Sequence, residues 1–159
     1  MKILVLNGGS SSHKVSVYEL GEDLPAYPPA PLWEGKIEWR DHIRDDAVEQ
    51  FLTNLWSSRS QVLKSPDDID VVGHRIVHGG QQYEEPVRIT PAVKAGIAAV
   101  SEFAPLHNRG ELETIEAIEK LLKNVPQVAV FDTGFHRRIP PAAAVYPGPY
   151  EWFTRGIRR

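Results

Sequence analysis

Residues 7–14 read NGGSSSHK and separate a short apolar run, residues 3–6, from an alternating run, residues 14–18. The two runs predict neighbouring β-strands, and the predicted fold is organised around the turn between them. The glycines of the turn can adopt positive φ and let backbone N–H groups approach a ligand, while three serines and a lysine supply donors and positive charge. The same pattern is typical of an ordinary β-hairpin turn. These residues alone support the anion-binding and the hairpin interpretations equally.

Patterning along the rest of the chain predicts an α/β domain with the element order β-β-β-α-β-α-α-β and an antiparallel edge on one side of the sheet. A proline-rich connector follows the first two strands, and alternating, helical and β-branched patterns then succeed one another. The further predicted strands are residues 32–39, 69–77 and 128–131, and the predicted helices are residues 45–63, 91–103 and 111–122.

Composition narrows the classes of function. The 159 residues carry a net charge of −3 with acidic and basic residues interspersed, so the sequence contains no basic cluster of the kind that binds nucleic acid or an anionic membrane. The absence of cysteine excludes disulfides, thiolate catalysis and cysteine-ligated metals. The first apolar run is too short for a signal peptide or a membrane span. We therefore expect one domain of a cytoplasmic protein, with neither nucleic acid nor membrane as a partner.

A second polar cluster, GHRIVHGG, occupies residues 73–80. If this segment is a strand, alternation places Arg75 and Val77 on one face and both histidines on the other. A guanidinium beside an apolar wall suits a small carboxylate with a short alkyl tail, whereas a lone arginine more often pairs with an acidic neighbour in the protein. Burying an unpaired arginine in an apolar strand would be costly, so an anion is expected beside Arg75. Whether that anion is protein or ligand stays open at this point.

A third cluster, VAVFDTGFH at residues 128–136, places Asp132 at the end of a predicted buried strand. A carboxylate there can hold a magnesium ion or its water, but an aspartate before Thr-Gly is as often a turn or helix cap. His107 lies in a break between two predicted helices, where it can donate to a phosphate or satisfy a backbone carbonyl. The three clusters share a position at strand ends, where open α/β sheets bind ligands.

Together with APLHN at residues 104–108, these clusters resemble the successive signatures of the acetate kinase (acetokinase) family. They occur in the family's order, and PYEW at residues 149–152 and IRR at residues 157–159 extend the resemblance over essentially the whole chain. The resemblance covers only part of the family's length. It implies a ribonuclease H-like domain of the actin and sugar-kinase superfamily. Residues 1–159 would be the N-terminal domain, whose end could lie within the interdomain connection, and the C-terminal nucleotide-binding domain would lie outside this sequence.

The resemblance also implies a reaction, Mg²⁺-dependent (or Mn²⁺-dependent) phosphoryl transfer between ATP and acetate that gives ADP and acetyl phosphate, in a homodimeric enzyme. The implied site residues lie around the two substrates. They are Ser10, Ser12 and Lys14 for the nucleotide phosphates, Asn7 and Asp132 for the metal, Arg75, Val77 and Leu106 for the acyl substrate, and Arg75, His107 and Asp132 for catalysis.

Two departures from the family pattern concern the packing around these residues. Arg109 and Gly110 stand where the family usually has proline and alanine, and His13 precedes Lys14 where an apolar residue is usual. Two other functions fit the same sequence. One is a propionate or butyrate kinase, and the other is a non-catalytic module that binds phosphate or a partner.

Overall fold

The computed structural model describes residues 1–9, 12–38, 51–56, 62–101, 107–135 and 137–158. The strands are β1 (Lys2–Gly8), β2 (Ser12–Glu19), β3 (Trp33–Glu38), β4 (Val71–Ile76), β5 (Val87–Arg88) and β6 (Gln127–Phe131). The helices are α1 (Pro91–Ala99), α2 (Asn108–Leu121) and the four-residue helices α3 (Asp132–Phe135), α4 (Pro141–Ala144) and α5 (Glu151–Thr154). Residues 51–56 are also helical, and Pro66–Asp68 form a 3₁₀ turn.

The six strands form one mixed sheet in the order β3-β2-β1-β4-β6-β5. The first three strands make the predicted antiparallel meander, and β4 and β6 add to β1 in parallel. The sheet is therefore the predicted combination of a meander with α/β units. It differs at the far edge, where the two-residue strand β5 pairs antiparallel with β6, so both edges are antiparallel.

The turn after β1 is shorter than the sequence predicted. The β1–β2 ladder continues through the pairs Asn7–Lys14 and Gly8–His13, which leaves only residues 9–11 to connect the strands. The hairpin interpretation is thus confirmed, while the expectation of positive φ was wrong, because Gly80 and Gly156 are the glycines with positive φ in the described ranges. Gly8 is required for close approach instead, since a Cβ there would lie 2.7 Å from Nε2 of His13.

The two main helices begin close to where the sequence indicated. Thr90 is the N-cap of α1, its hydroxyl accepting from the Val93 N–H at 3.3 Å, and Pro91 takes the first helical position, which needs no donor. The helix ends at Ala99 rather than residue 103, and α2 begins three residues before its predicted start. Arg109 and Gly110 thus lie within the first turn of α2.

Parts of two predicted elements lie outside the described residues. Of the predicted helix 45–63, residues 51–56 are helical and residues 62 and 63 are not, while 45–50 and 57–61 are outside the described ranges. Position 39 of the predicted third strand is also outside them. In the part of the chain that is described, no helix is long and apolar enough to span a bilayer.

The hydrophobic core lies on one face of the sheet. Leu4, Leu6 and Val72 point into it, as do Ile76 and Ala129 further along the sheet. The apolar sides of α1, α2 and the helical segment 51–56 cover this face. The intervening residues of the same strands point to the opposite face. Because side chains alternate along each strand, the polar side chains that can face a ligand are those on the face opposite the core.

Two histidines are buried on the core face. The Nε2 atom of His74 lies 2.6 Å from Oε1 of Gln127, and the ring of His13 on β2 packs against its ladder partner Gly8 on β1. Burial lowers the pKa of His13 to about 4, with a further contribution from the neighbouring His74. Burial also lowers the pKa of His74 to about 4, against the opposing effect of its hydrogen bond to Gln127. Both side chains are therefore neutral in the folded protein at pH 7.

We expect the free energy of unfolding to fall as the pH is lowered from about 6.5 to 4. In this window the two histidines bind more protons in the unfolded chain, where their pKa values are near 6.5, than in the folded one. This outweighs the single opposing proton of the buried Glu111 carboxyl, whose pKa is raised to about 7, so acid favours unfolding. In His13→Leu the dependence of unfolding free energy on pH should be shallower by up to about 1.4 kcal/mol per pH unit. Urea unfolding between pH 4.5 and 7.5 measures both slopes. Other titratable groups are common to the two proteins, so equal slopes would contradict the burial of a neutral His13.

Candidate functional site

The carboxyl ends of three parallel strands meet at one edge of the sheet. Asn7 of β1 is paired with Arg75 of β4, and Ile76 of β4 is paired with Phe131 of β6. Asp132 follows Phe131 directly and opens α3. The three predicted clusters therefore converge, as their positions at strand ends indicated.

The Arg75 guanidinium is the centre of this convergence. Its Nε donates to Asp132 Oδ1 at 2.9 Å, and its Nη2 donates to Asp132 Oδ2 at 2.5 Å. Its Nη1 donates to the Gly8 carbonyl at 2.6 Å and to Asn7 Oδ1 at 3.2 Å. The anion beside Arg75 is thus a protein carboxylate, which is the alternative that the sequence favoured for a lone arginine.

This ion pair is accessible to solvent. The Arg75 and Asp132 side chains are 38% and 42% exposed. The hydrogen bond from Arg75 to Asp132 is the main cause that raises the pKa of Arg75 above its ordinary value, so the guanidinium is charged at all relevant pH. An exposed pair of this kind contributes about 0–1 kcal/mol. A ligand anion can therefore compete with Asp132 for Arg75.

Side chains from neighbouring elements bind the backbone of residues 77–80, the segment that follows the last paired residue of β4. The Val77 N–H donates to both carboxylate oxygens of Glu111, at 3.2 and 3.3 Å, and Asn108 Nδ2 donates to the His78 carbonyl at 2.9 Å. The Gly79 N–H donates to Thr133 Oγ1 at 3.1 Å. The segment after Arg75 is thus tied to α2 on one side and to α3 on the other.

Glu111 is a site residue that sequence reasoning missed. Its side chain is 4% exposed, and burial raises the pKa of its carboxyl to about 7, against the opposing effects of the Val77 N–H and of Arg75. The sequence carried a signal for this burial. Glu111 stands four residues before Ile115 and seven before Ile118, which places it on the apolar face of α2.

A cavity of about 250 Å³ opens beside the ion pair. Val77 and Asp132 line it together with Thr133, His78 and Arg158. Arg75 lies on the face of β4 opposite the core, as the alternation predicted, whereas β4 ends at Ile76, so the alternation does not extend to Val77. The cavity thus combines the apolar side chain of Val77 with the Asp132 carboxylate, which is bound in turn by Arg75.

The remaining predicted site residues are less closely associated with the ion pair. Lys14 is exposed on β2 opposite Asn7, and Ser12 is half-buried at the start of that strand. His107 is the half-buried N-cap of α2 and makes no side-chain capping bond. Ser10 and Leu106 lie outside the described residues.

The residues present fit a magnesium ion by their donor chemistry. Asn7 Oδ1 and the Asp132 carboxylate approach the same guanidinium from neighbouring strands. These are oxygen ligands of the kind that Mg²⁺ prefers, and Mg²⁺ is usually held by one or two carboxylates together with substrate phosphates. Among the described residues, no group of three or more histidine, aspartate or glutamate side chains could hold a metal alone.

Known proteins match the chain along almost its whole length. A family model for the acetokinase family matches residues 2–159. An acetate kinase from Cyanothece sp. is 48% identical over an alignment of 182 positions, gaps included, which covers 100% of this chain and 45% of that protein.

Two solved structures resemble the fold. The crystal structure of Porphyromonas gingivalis acetate kinase is 34% identical with a TM-score of 0.85, covering 99% of this chain and 44% of that one. A propionate kinase from Francisella tularensis is 30% identical with a TM-score of 0.76, with the same coverage, 99% and 44%.

This chain thus spans about 45% of the length of the curated relatives it matches. Its mixed sheet, with a meander followed by α/β units, is a ribonuclease H-like fold of the actin and sugar-kinase superfamily. The family model matches residues 2–159, and named acetate kinases are similar to the whole chain. The chain therefore belongs to the acetokinase family.

Proposed function

We propose that this chain forms the acyl- and phosphoryl-binding part of an acetate kinase, with residues 1–159 as its N-terminal domain. The reaction is reversible, Mg²⁺-dependent phosphoryl transfer from ATP to acetate, giving acetyl phosphate and ADP by direct in-line displacement. The observation that carries the proposal is the convergence of Asn7, Arg75 and Asp132 at the carboxyl ends of three parallel strands. The names of the similar kinases support the choice of substrate.

The chemistry of acetate explains why the site needs cations rather than a base. A carboxylic acid with a pKa of about 4 to 5 is ionised at neutral pH, so it attacks the γ-phosphoryl group without losing a proton. Two anions must instead be brought together and held in line. Arg75 suits this role, since its planar fork of donors binds either a carboxylate or the phosphoryl oxygens.

Exchange of partners at Arg75 is the step that the ion pair supports. The Gly8 carbonyl keeps the guanidinium oriented through Nη1, while the substrate replaces the Asp132 carboxylate at Nε and Nη2. Asp132 is then available, with Asn7, to hold Mg²⁺ or Mn²⁺. A bound magnesium ion would neutralise charge on the nucleotide phosphates.

The other proposed roles follow from the family resemblance. His107 donates to the transferring phosphoryl group, Val77 and Leu106 face the methyl group, and the nucleotide phosphates are bound by Ser10, Ser12 and Lys14. A cytoplasmic location, where ATP and acetate are both present, belongs to the same proposal.

A homodimer is also part of the proposal. Phe135, Tyr150 and Trp152 are large exposed apolar side chains that association would cover.

Arg75→Ala should lower acetate-dependent turnover by at least about 100-fold, because it removes the donors that neutralise charge during transfer. Hydroxylamine trapping of acetyl phosphate, with ATP, Mg²⁺ and acetate, measures this rate. The assay is run on the chain alone and on the chain mixed with the C-terminal half of a family member. Arg88→Ala removes an exposed arginine on β5 and serves as the matched control, with turnover expected to equal the wild type.

The two failures of this experiment have different meanings. Full turnover by Arg75→Ala would contradict the role of the guanidinium. No turnover by the wild type in either format would contradict the kinase proposal and favour a non-catalytic module that binds phosphate or a partner.

Propionate is the second candidate substrate, because the similar propionate kinase shares the fold over this whole region. Val77 lines the cavity beside Asp132, so Val77→Ala should enlarge the acyl site. We expect the ratio of kcat/KM for propionate to kcat/KM for acetate to rise by about tenfold. Rates with acetate, propionate and butyrate measure the ratio. A wild-type enzyme that prefers propionate or butyrate would overturn the assignment of acetate.

A further inference from the structure

The burial of Glu111 calls for a physical reason. An acidic side chain in the first turn of a helix normally interacts with the helix dipole from the surface, where water solvates it. Glu111 is instead 4% exposed, and the rise of its pKa to about 7 reflects the cost of removing its charge from water. Across from α2, its carboxylate accepts the Val77 N–H, at 3.2 Å from one oxygen and 3.3 Å from the other.

The Val77 amide needs such an acceptor because of where β4 ends. The ladder of β4 with β1 ends at the Asn7–Arg75 pair and its ladder with β6 ends at the Ile76–Phe131 pair, so the Val77 N–H has no strand partner on either side. An unpaired buried N–H costs about 1–3 kcal/mol. Asn108 donates to the carbonyl of the next residue, His78, from the same turn of α2. Glu111 and Asn108 therefore hold two consecutive residues of the chain.

The position of Val77 matters because Val77 lies beside the carboxylate that binds Arg75. Val77 lines the cavity beside Asp132, and Arg75 binds Asp132 two residues earlier. A shift of the Val77 backbone would move the apolar wall relative to the guanidinium. A substrate with a carboxylate and a short alkyl group must contact both at once.

We propose that Glu111 is a positioning residue for the acyl substrate, holding the Val77 amide so that Val77 and Arg75 present an apolar wall and a cation to the same molecule. The inference rests on the proposed function, since it names a determinant of the same site. Glu111 itself touches neither the substrate nor the transferring group in this role.

Two conservative substitutions separate this role from a purely electrostatic one. Glu111→Gln keeps the length and an acceptor oxygen but loses the charge. Glu111→Asp keeps the charge and the favourable position in the first helical turn but is one methylene shorter, so it no longer reaches Val77. Positioning predicts that the glutamine variant behaves like the wild type. A role in the helix dipole or in the charge of the site predicts that the aspartate variant does.

The experiment combines amide hydrogen exchange at Val77 with steady-state kinetics. In Glu111→Asp we expect exchange at Val77 to accelerate and the KM for acetate to rise, each by about tenfold, as for loss of one hydrogen bond to a buried group. The kcat should change much less than KM. Glu111→Gln should stay close to the wild type in both measurements. Glu116→Gln, on the exposed side of α2, is the matched control and should change neither.

The outcomes that overturn the proposal are distinct from failure of the kinase proposal. Unchanged Val77 exchange or an unchanged acetate KM in Glu111→Asp would overturn it, as would a Glu111→Gln variant as impaired as the aspartate variant. A wild type without turnover would contradict the proposed function alone. Val77 exchange would then still decide whether Glu111 holds the amide, because it does not depend on catalysis. Unchanged exchange at Leu4 and Ala129 verifies that each variant keeps its core.

Discussion

Parallel pairing of β1, β4 and β6 is the constraint on which the site depends. The register sets Asn7 opposite Arg75 and places Asp132 directly after the strand on the other side of β4. A shift of β4 by one residue would turn Arg75 into the core and His74 out of it, because successive side chains point to opposite faces. Burial of Val72 and Ile76 on the core face therefore fixes the direction of Arg75. The same strand register therefore determines both which side chains form the hydrophobic core and which form the polar site on the opposite face of the sheet.

Much of this fold could be predicted because periodicity reports burial. Alternation identified β2 and β3, apolar and β-branched runs identified β1 and β4, and the Thr90-Pro91 pair identified the start of α1. The failures have local causes. A two-residue strand such as β5 has no period to detect, and pairing decides how far a hairpin ladder extends. The glycines at positions 8 and 9 could have supported a wider turn, but pairing of Gly8 with His13 stabilised the extended conformation.

The site was predictable in its parts but not in its connections. Alternation placed Arg75 on the face opposite the core, and strand ends identified Asp132. Arg75 and Asp132 meet at 2.5–3.1 Å although they are 57 positions apart in the sequence, and no local pattern predicts a contact over that distance. Glu111 was missed for a different reason. Its spacing from Ile115 indicated burial, but a charged residue at a single position of an apolar face is usually ascribed to chance. Its function as the acceptor for the Val77 amide is visible only in the structure. The residue roles in phosphoryl transfer came from family resemblance, since no spacing rule encodes them.

The occupied guanidinium has a thermodynamic consequence for recognition. An anion that binds Arg75 displaces a carboxylate rather than water, so its apparent affinity is the difference between two ion pairs. Such a displacement equilibrium is nearly balanced in charge, because one anion replaces another. Added salt screens both sides of it, and geometric fit then contributes more to selectivity than total charge does. Anions that match the planar fork of Arg75 would be retained, while those that merely carry more charge would gain little.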